Sequence, residues 1–517
     1  MTDTKFRQRF LLITVFISGM VSLAIEMAAS RLLGNVFGTS NLVWASIIGL
    51  ILIYLTVGYW LGGKIADRRP EPAVFYRILF GAALSTALVP LVSSPVLRLA
   101  ANAFDNLRLG VLLGSFVSVM VLLVLPMVLL GMTSPYAIRL SIQETGTSGR
   151  TAGSIYAIST VGSFLGTFIT TLLLIPLIGT YRTFMLLACL LALVSCLGLW
   201  LHLSTRKTLG YLILTFGLVI LLILGKTGAI KNTPGQVFEK ESEYNYIQVV
   251  KEQGFFLLRL NEGQGIHSIY KPGVDNYFGT WEQFSAAPFF NSAPVSVGSV
   301  KRMAIVGLAA GTAAQAATTI YGDIPIDGYE IDPVIIEVGK EFFGMNEANL
   351  NPLAVDGRWG LAHSAQLYDI IAVDAYRPPY IPWHLTTREF FQAARDHLTA
   401  QGVVTINVGR APGDRRLVED LCATLNSVFP SVYVVDIPDS FNTILFATMQ
   451  PTTVNNLAAN YQLLSADPST PPLLLETMAI TVANMQATPT NGRVYTDDLA
   501  PIEWITNDLV IHYVLSE

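Results

Sequence analysis

The first half of the chain is dominated by long apolar runs. Seven can be drawn, at residues 10–33, 42–62, 74–97, 111–132, 152–178, 183–203 and 209–224. Each is near the ~20 residues that a helix needs to cross a bilayer. The last is the shortest, and whether it crosses is left open. After residue 235 the pattern changes. Residues 246–250 and 255–260 flank Glu252-Gln253-Gly254 and predict a hairpin, with a second turn at 261–265. Residues 303–306 predict a short buried strand, the segment to Tyr321 a helix, and 326–329 a second strand ending at Glu330. The alternation continues with helices at 333–343, 387–398 and 417–428 and strands at 368–373, 402–408, 432–435 and 444–448. The expected organisation is a multi-pass α-helical membrane domain over 1–235, a small β-module over 236–297 and a Rossmann-like α/β domain over 298–517. In that last domain a mostly parallel sheet carries helices on both faces.

Composition agrees with spans. Only 13% of the 517 residues are charged and 52% are hydrophobic, with a mean hydropathy of +0.51. The net charge of −5 and the lack of a basic aromatic stripe argue against nucleic acid as a partner. Three cysteines, Cys189, Cys196 and Cys422, give neither metal-ligand spacing nor a disulfide framework, so no metal is expected. Lys5, Arg7, Arg9, Lys64, Arg68, Arg69, Arg77, Arg139, Arg150, Arg206 and Lys207 gather at one set of segment ends. That set is predicted to be cytoplasmic, with the N-terminus inside the cell (inner) membrane. The side of the C-terminal domain depends on the seventh segment and stays open.

Candidate chemistry sits at predicted strand ends. Gly307 and Gly311 bracket a turn of small residues after the strand at 303–306, where a backbone can approach a ligand closely. Their spacing is not GxGxxG, so the glycines alone say little. Glu330, Asp356 and Asp374 each follow a predicted strand or lie in a loop beside one. In a parallel sheet these positions meet at one edge, where ligands bind. An acidic side chain after the second strand suits ribose hydroxyls.

Residues 62–69, GGKIADRR, resemble the cytoplasmic loop of one half of a major facilitator transporter, and Gly149-Arg150 and 179–182 resemble later patterns of that superfamily. A facilitator needs two six-helix halves, so transport is not implied.

The soluble half resembles the spermidine synthase family, in its bacterial branch fused to transmembrane helices. The resemblance rests on Glu241-Ser242-Glu243-Tyr244, on 307–311, on Glu330-Ile331-Asp332-Pro333, on Asp356-Gly357, on 368–374 and on 384–391. It implies a methyltransferase-type sheet and a transferase using decarboxylated S-adenosylmethionine, or S-adenosylmethionine. By resemblance, Glu330 holds the ribose, Asp356 with Gly357 the adenine, Gly307 and Gly311 pass the nucleoside, and Asp374 is the base at the reacting amine. Gln264, His267, Glu282 and Tyr244 become acceptor-side candidates, and His384 a further active-site candidate. Two departures matter. Ala310 stands where the family carries an Asp that binds the aminopropyl amine, and Arg377 stands where a carboxylate grips the diamine. Plain putrescine is therefore not the expected acceptor. A small amine or a lipid-borne acceptor is expected instead, with the lipid bilayer as partner and homo-oligomerisation left open. The alternative is a non-catalytic nucleoside- or polyamine-binding, transport-linked protein.

Overall fold

The structure is a computed structural model that describes residues 2–37, 41–107, 110–142, 148–225, 233–261, 265–375, 381–411, 413–506 and 508–509. The chain divides into two compact units, Met1–Asn232 and Thr233–Glu517.

Six helices of the first unit are long and apolar enough to cross a membrane: Lys5–Asn35, Val43–Arg68, Pro72–Ser93, Phe116–Ser141, Ser148–His202 and Thr205–Leu224. The fifth has 55 residues, which would reach about 80 Å if straight. It is not straight, because Gly179 leaves the helical region at φ 77, ψ 167. Its two arms correspond to the fifth and sixth apolar runs of the sequence. The N-terminal arm packs against Thr2–Phe37 and the C-terminal arm against Pro72–Leu107. Small residues permit the first contact. A Cβ on Gly162 would lie 2.1 Å from the Phe16 carbonyl oxygen, and one on Gly166 would lie 2.0 Å from that of Met20. Ser163 Oγ donates to the Gly19 carbonyl at 3.0 Å across the same seam. In the stretch resembling a facilitator loop, Asp67 pairs with Arg139 at 3.2 Å.

The second unit holds two sheets. The smaller is the antiparallel meander β1 (Gln236–Glu241), β2 (Tyr246–Glu252), β3 (Phe255–Leu260) and β4 (Ser268–Tyr270). The expected hairpin is β2–β3, closed by Gln253 and Gly254 at φ 50 and 86, the left-handed pair that a tight two-residue turn requires. The larger sheet contains β5 (Met303–Val306), β6 (Ile326–Glu330), β7 (Leu350–Ala354), β8 (Tyr368–Val373), β9 (Leu398–Gly409), β10 (Ser431–Asp436), β11 (Asn442–Thr448) and β12 (Met485–Gln486). Their order is β12-β10-β11-β9-β8-β5-β6-β7. Strands β5 to β9 are parallel, while β10, β11 and β12 are antiparallel additions.

This is a Rossmann-like, methyltransferase-type sheet with apolar cores on both faces. Strands β5, β8 and β9 are buried on both sides, which is why they read as continuous runs such as Met303-Ala304-Ile305-Val306. The strand order reverses between β5 and β8, so the loops after these two strands leave the sheet in opposite directions. The crevice between them is where such folds take ligands.

Candidate active site

The turn after β5 is held open by backbone conformation. Gly307, Ala309 and Gly311 have φ of 93, 49 and 94. Gly307 can be nothing larger: a Cβ there would lie 2.4 Å from the Ala375 backbone nitrogen, in the loop after β8. The turn is tied to β6 on both flanks. Gly307 and Leu308 donate to the Tyr329 carbonyl at 2.9 and 3.0 Å, and the Ala309 N–H donates to Glu330 Oε2 at 3.0 Å.

Glu330 is 8% exposed, and its other oxygen, Oε1, accepts from the Asp332 N–H at 3.1 Å. Each oxygen keeps one lone-pair direction beyond its backbone donor, the arrangement that two neighbouring hydroxyls can fill. Burial, opposed only in part by those amides, pushes the carboxyl up to about 7. Asp332 caps the helix Pro333–Phe342 through the Val334 N–H at 3.1 Å and also accepts from Ser242 Oγ and from Asn245 Nδ2, the latter at 2.9 Å. Ser242 and Asn245 therefore fasten the small sheet to the large one. That gives the 241–245 stretch a structural task.

Asp374 ends β8. Its N–H donates to the Val306 carbonyl at 2.8 Å, and its Oδ1 accepts from Asn407 Nδ2 of β9 at 2.9 Å. The side chain is half-buried, and desolvation lifts it to about 7, offset in part by Asn407. Asn407 is 4% exposed, and its Oδ1 has no partner among the described residues. Its carboxamide is thus oriented by Asp374 with one buried acceptor left over. Sequence reading missed Asn407. The available signal was an amide side chain inside the apolar strand Val403-Val404-Thr405-Ile406-Asn407-Val408.

Asp374 and Asn407 line a cavity of about 1110 Å³. It extends from Ala309, His267 and Trp281 past Arg410 to the loop 437–442 and to Ile480. Arg410, the lysine or arginine among the described lining residues, faces Asp436 at 3.3 Å, and its Nη2 donates to the Ser440 carbonyl at 2.9 Å.

The other sequence candidates fall on both sides of the cavity wall. Asp356 caps the helix Gly357–Ala362 through the Trp359 N–H at 2.9 Å, and its Oδ2 meets His384 Nε2 at 3.1 Å; that contact holds the carboxyl below its ordinary value. A Cβ on Gly357 would lie 2.5 Å from Val306 Cγ1. Gly307, Gly311, Glu330, Asp356 and Gly357 surround the turn and the ends of β6 and β7, outside the cavity lining. His267 lines the cavity. Glu282 does not: its oxygens accept from the Tyr277 and Gly279 N–H groups at 2.8 and 3.1 Å, so it holds its own loop together while burial raises it. Tyr244 is 40% exposed and lies outside the lining. Gln264 and Arg377 lie outside the described residues. Ala310 is fully buried in an apolar cluster with Ile247, Leu258, Ile335 and Phe343, whereas Ala309 reaches the cavity.

Asp497, without a role from sequence, is locked in place. It forms a two-pronged pair with Arg358 at 2.7 and 2.6 Å and accepts from Thr387 Oγ1 at 2.7 Å, while its N–H donates to Glu389 at 3.0 Å.

Comparison with known proteins accords with this arrangement. A family model for the spermine/spermidine synthase domain matches residues 325–459. A probable polyamine aminopropyl transferase of Bifidobacterium longum is 32% identical over 216 residues, 41% of this chain and 46% of that protein. The match thus spans about half of that relative's length. A polyamine aminopropyltransferase of Vibrio vulnificus is 28% identical over 235 residues, 44% of this chain and 76% of that protein. Among solved structures, a spermidine synthase in complex with the transition-state analogue AdoDATO covers 49% of this chain and 84% of its own at 16% identity, with a TM-score of 0.39. At that score the likeness carries no weight beside the strand order. The C-terminal part of the chain carries a spermine/spermidine synthase domain.

Proposed function

We propose that the protein is a membrane-anchored, aminopropyltransferase-like enzyme whose C-terminal unit binds an S-adenosyl-type cofactor and transfers a group from it to an amine. The observation that carries this reading is the Asp374–Asn407 pair. It is a half-buried carboxylate held at about 7, oriented by the Asn407 carboxamide, at the reversal of strand order and beside a cavity.

The residues present fit the nucleoside. Glu330 has one acceptor direction to spare on each oxygen, and the turn after β5 is kept free of side-chain bulk at Gly307 and Gly311. Glu330 would hold the ribose, Asp356 with Gly357 the adenine edge, and the 307–311 turn would pass the chain that bears the sulfonium. The cofactor, decarboxylated S-adenosylmethionine or S-adenosylmethionine, supplies a carbon activated by its bond to positive sulfur. This chain's part is to present a neutral amine. Asp374 would accept one N–H and take up the proton that the amine loses, the cofactor supplying the electrophilic carbon by breaking its C–S bond and leaving as a neutral thioether. Asn407 Nδ2, which donates to Asp374 Oδ1, would hold that carboxylate in the orientation that meets the amine. Burial of Asp374 keeps it poised near neutrality, where a base is most useful.

The six apolar helices would anchor this unit, with the N-terminus cytoplasmic. Ala310 favours the alternative of a non-catalytic nucleoside- or polyamine-binding protein, because the loop lacks a carboxylate there. Calorimetry separates the two readings. The purified protein should bind S-adenosylmethionine, its decarboxylated form or methylthioadenosine, Glu330→Ala should abolish that binding, and turnover with an amine should consume the bound cofactor. Absence of binding by all three nucleosides would sink the enzyme reading. Binding without turnover across an amine panel would leave the non-catalytic one.

A further inference from the structure

We infer that the acceptor is an amine carried on an apolar body considerably larger than a four-carbon diamine, an alkyl or aryl amine whose hydrophobic part fills the cavity beside Asp374. This rests on the transferase reading above and names its substrate class.

Three features of the cavity lead there. The first is where its space lies. Glu330, Asp356, Gly307 and Gly311 are absent from its lining, which meets the 307–311 turn only at Ala309, so most of the volume of about 1110 Å³ lies beyond the proposed nucleoside contacts. Pockets for drug-sized ligands run to ~300–1000 Å³. A short diamine would leave most of this wall wet.

The second is the lining. Phe278 is 63% exposed, Phe441 54% and Ile266 44%, and all three border this cavity together with Trp281, Ile437 and Ile480. Single exposed apolar side chains need no explanation, but several around one concave site mark a binding surface.

The third is the placement of polar groups. The Asp374 carboxylate, oriented by Asn407 Nδ2, forms one polar end that accepts N–H groups. Arg410, the described cation of the lining, has its Nε 3.3 Å from Asp436 and donates from Nη2 to the Ser440 carbonyl. Among the described lining residues the other acid is Asp439, in the exposed loop between β10 and β11. The same stretch adds Ile437, Pro438 and Phe441 together with Ser440 and Asn442. The Asp374 carboxylate together with the exposed Phe278, Phe441 and Ile266 along the wall describes a site for an amphiphilic amine, either free or lipid-borne.

The test is calorimetric titration of the full chain in phosphatidylcholine nanodiscs, with empty nanodiscs subtracted, using putrescine, butylamine, hexylamine and octylamine. Methylthioadenosine is titrated in the same preparations. Affinity should rise about fourfold per added methylene, which corresponds to ~0.8 kcal/mol for each buried CH₂. Phe441→Ser should cut that step to below twofold. Ile266→Ser, at a second exposed position, should do the same if the loop of the first variant rearranges. Replacing a fifth of the lipid with phosphatidylethanolamine separates the sources. Weakening of octylamine binding by fivefold or more identifies a lipid-borne amine, and unchanged binding identifies a free one. A flat series, or putrescine binding as tightly as octylamine, overturns the inference. A graded series without methylthioadenosine binding leaves the inference standing and removes the transferase reading.

Discussion

Replacing Glu330 with Gln tests whether its carboxyl titrates near neutrality in the folded chain. The folded value of about 7 lies above the ordinary 4.5, because burial disfavours the charged form more than the Ala309 and Asp332 amides favour it. A raised folded pKa means that the folded state holds the proton more tightly. This contribution to stability is complete below pH 4.5 and is lost as pH rises to 7. Between pH 5 and pH 8 the loss amounts to about 2.5 kcal/mol, at 1.36 kcal/mol for each pKa unit. Gln carries no such proton. It does set an NH₂ against one of the two backbone donors, a constant penalty of ~1–3 kcal/mol for the unmade bond. The variant should therefore be less stable than wild type at pH 5, and the gap should close or reverse by pH 8. For a unit of this size the relative shift in Tm is roughly 5 °C. Thermal unfolding of both proteins in nanodiscs, followed by tryptophan fluorescence at four pH values, reads it directly. Other titrating groups cancel in the difference. Two curves that stay parallel from pH 5 to pH 8 would refute the argument.

Three further outcomes are expected. Asp374→Asn should lower kcat by ~10²–10⁴ with whichever amine is accepted, and wild-type kcat should fall as pH drops below about 7, because the base must be ionised; a rate independent of pH from 6 to 8 counts against Asp374. Gly307→Ala forces a Cβ to 2.4 Å from the Ala375 nitrogen at φ 93, so unfolding should show a loss beyond the ~1–3 kcal/mol typical of a strained residue alone. Arg358→Met removes both prongs on Asp497, and because the pair is partly exposed the global loss should be only ~1 kcal/mol, while hydrogen exchange at residues 494–499 accelerates selectively.

The alternating strands and helices were legible because their apolar periods are clean, and β5, β8 and the helix after Asp332 fall within a residue of expectation. Strand β7 was not legible. Pro352 interrupts it and its pattern does not alternate, both of which an edge position tolerates. The first half of β9 escaped notice because Thr399-Ala400-Gln401-Gly402 looks like a turn. Within the site, Glu330 and Asp374 could be found as acids that end apolar strands. Glu282 could not be told from them by type. Only the fold shows that two amides of its own loop occupy it. Asn407 carried the opposite ambiguity, since its role depends on a neighbour in space, Asp374, which lies 33 residues earlier in the chain.

The parallel half of the large sheet carries the proposed nucleoside contacts, whereas the cavity is walled largely by segments C-terminal to β9. The antiparallel strands β10 and β11 are joined by a short loop, 437–441, tied down at its ends by the Ile437 N–H on the Asn442 carbonyl and the Arg410 N–H on the Phe441 carbonyl, with Pro438 and Asp439 exposed between them. Insertions and substitutions there alter the cavity's outer wall while leaving the turn after β5 and Glu330 untouched. A lineage can thus drift from one acceptor to another in small steps without passing through a form that has lost its donor. Chains that share this sheet should accordingly diverge most steeply between β10 and β11, and grafting that loop alone is the economical way to exchange acceptor preference between them.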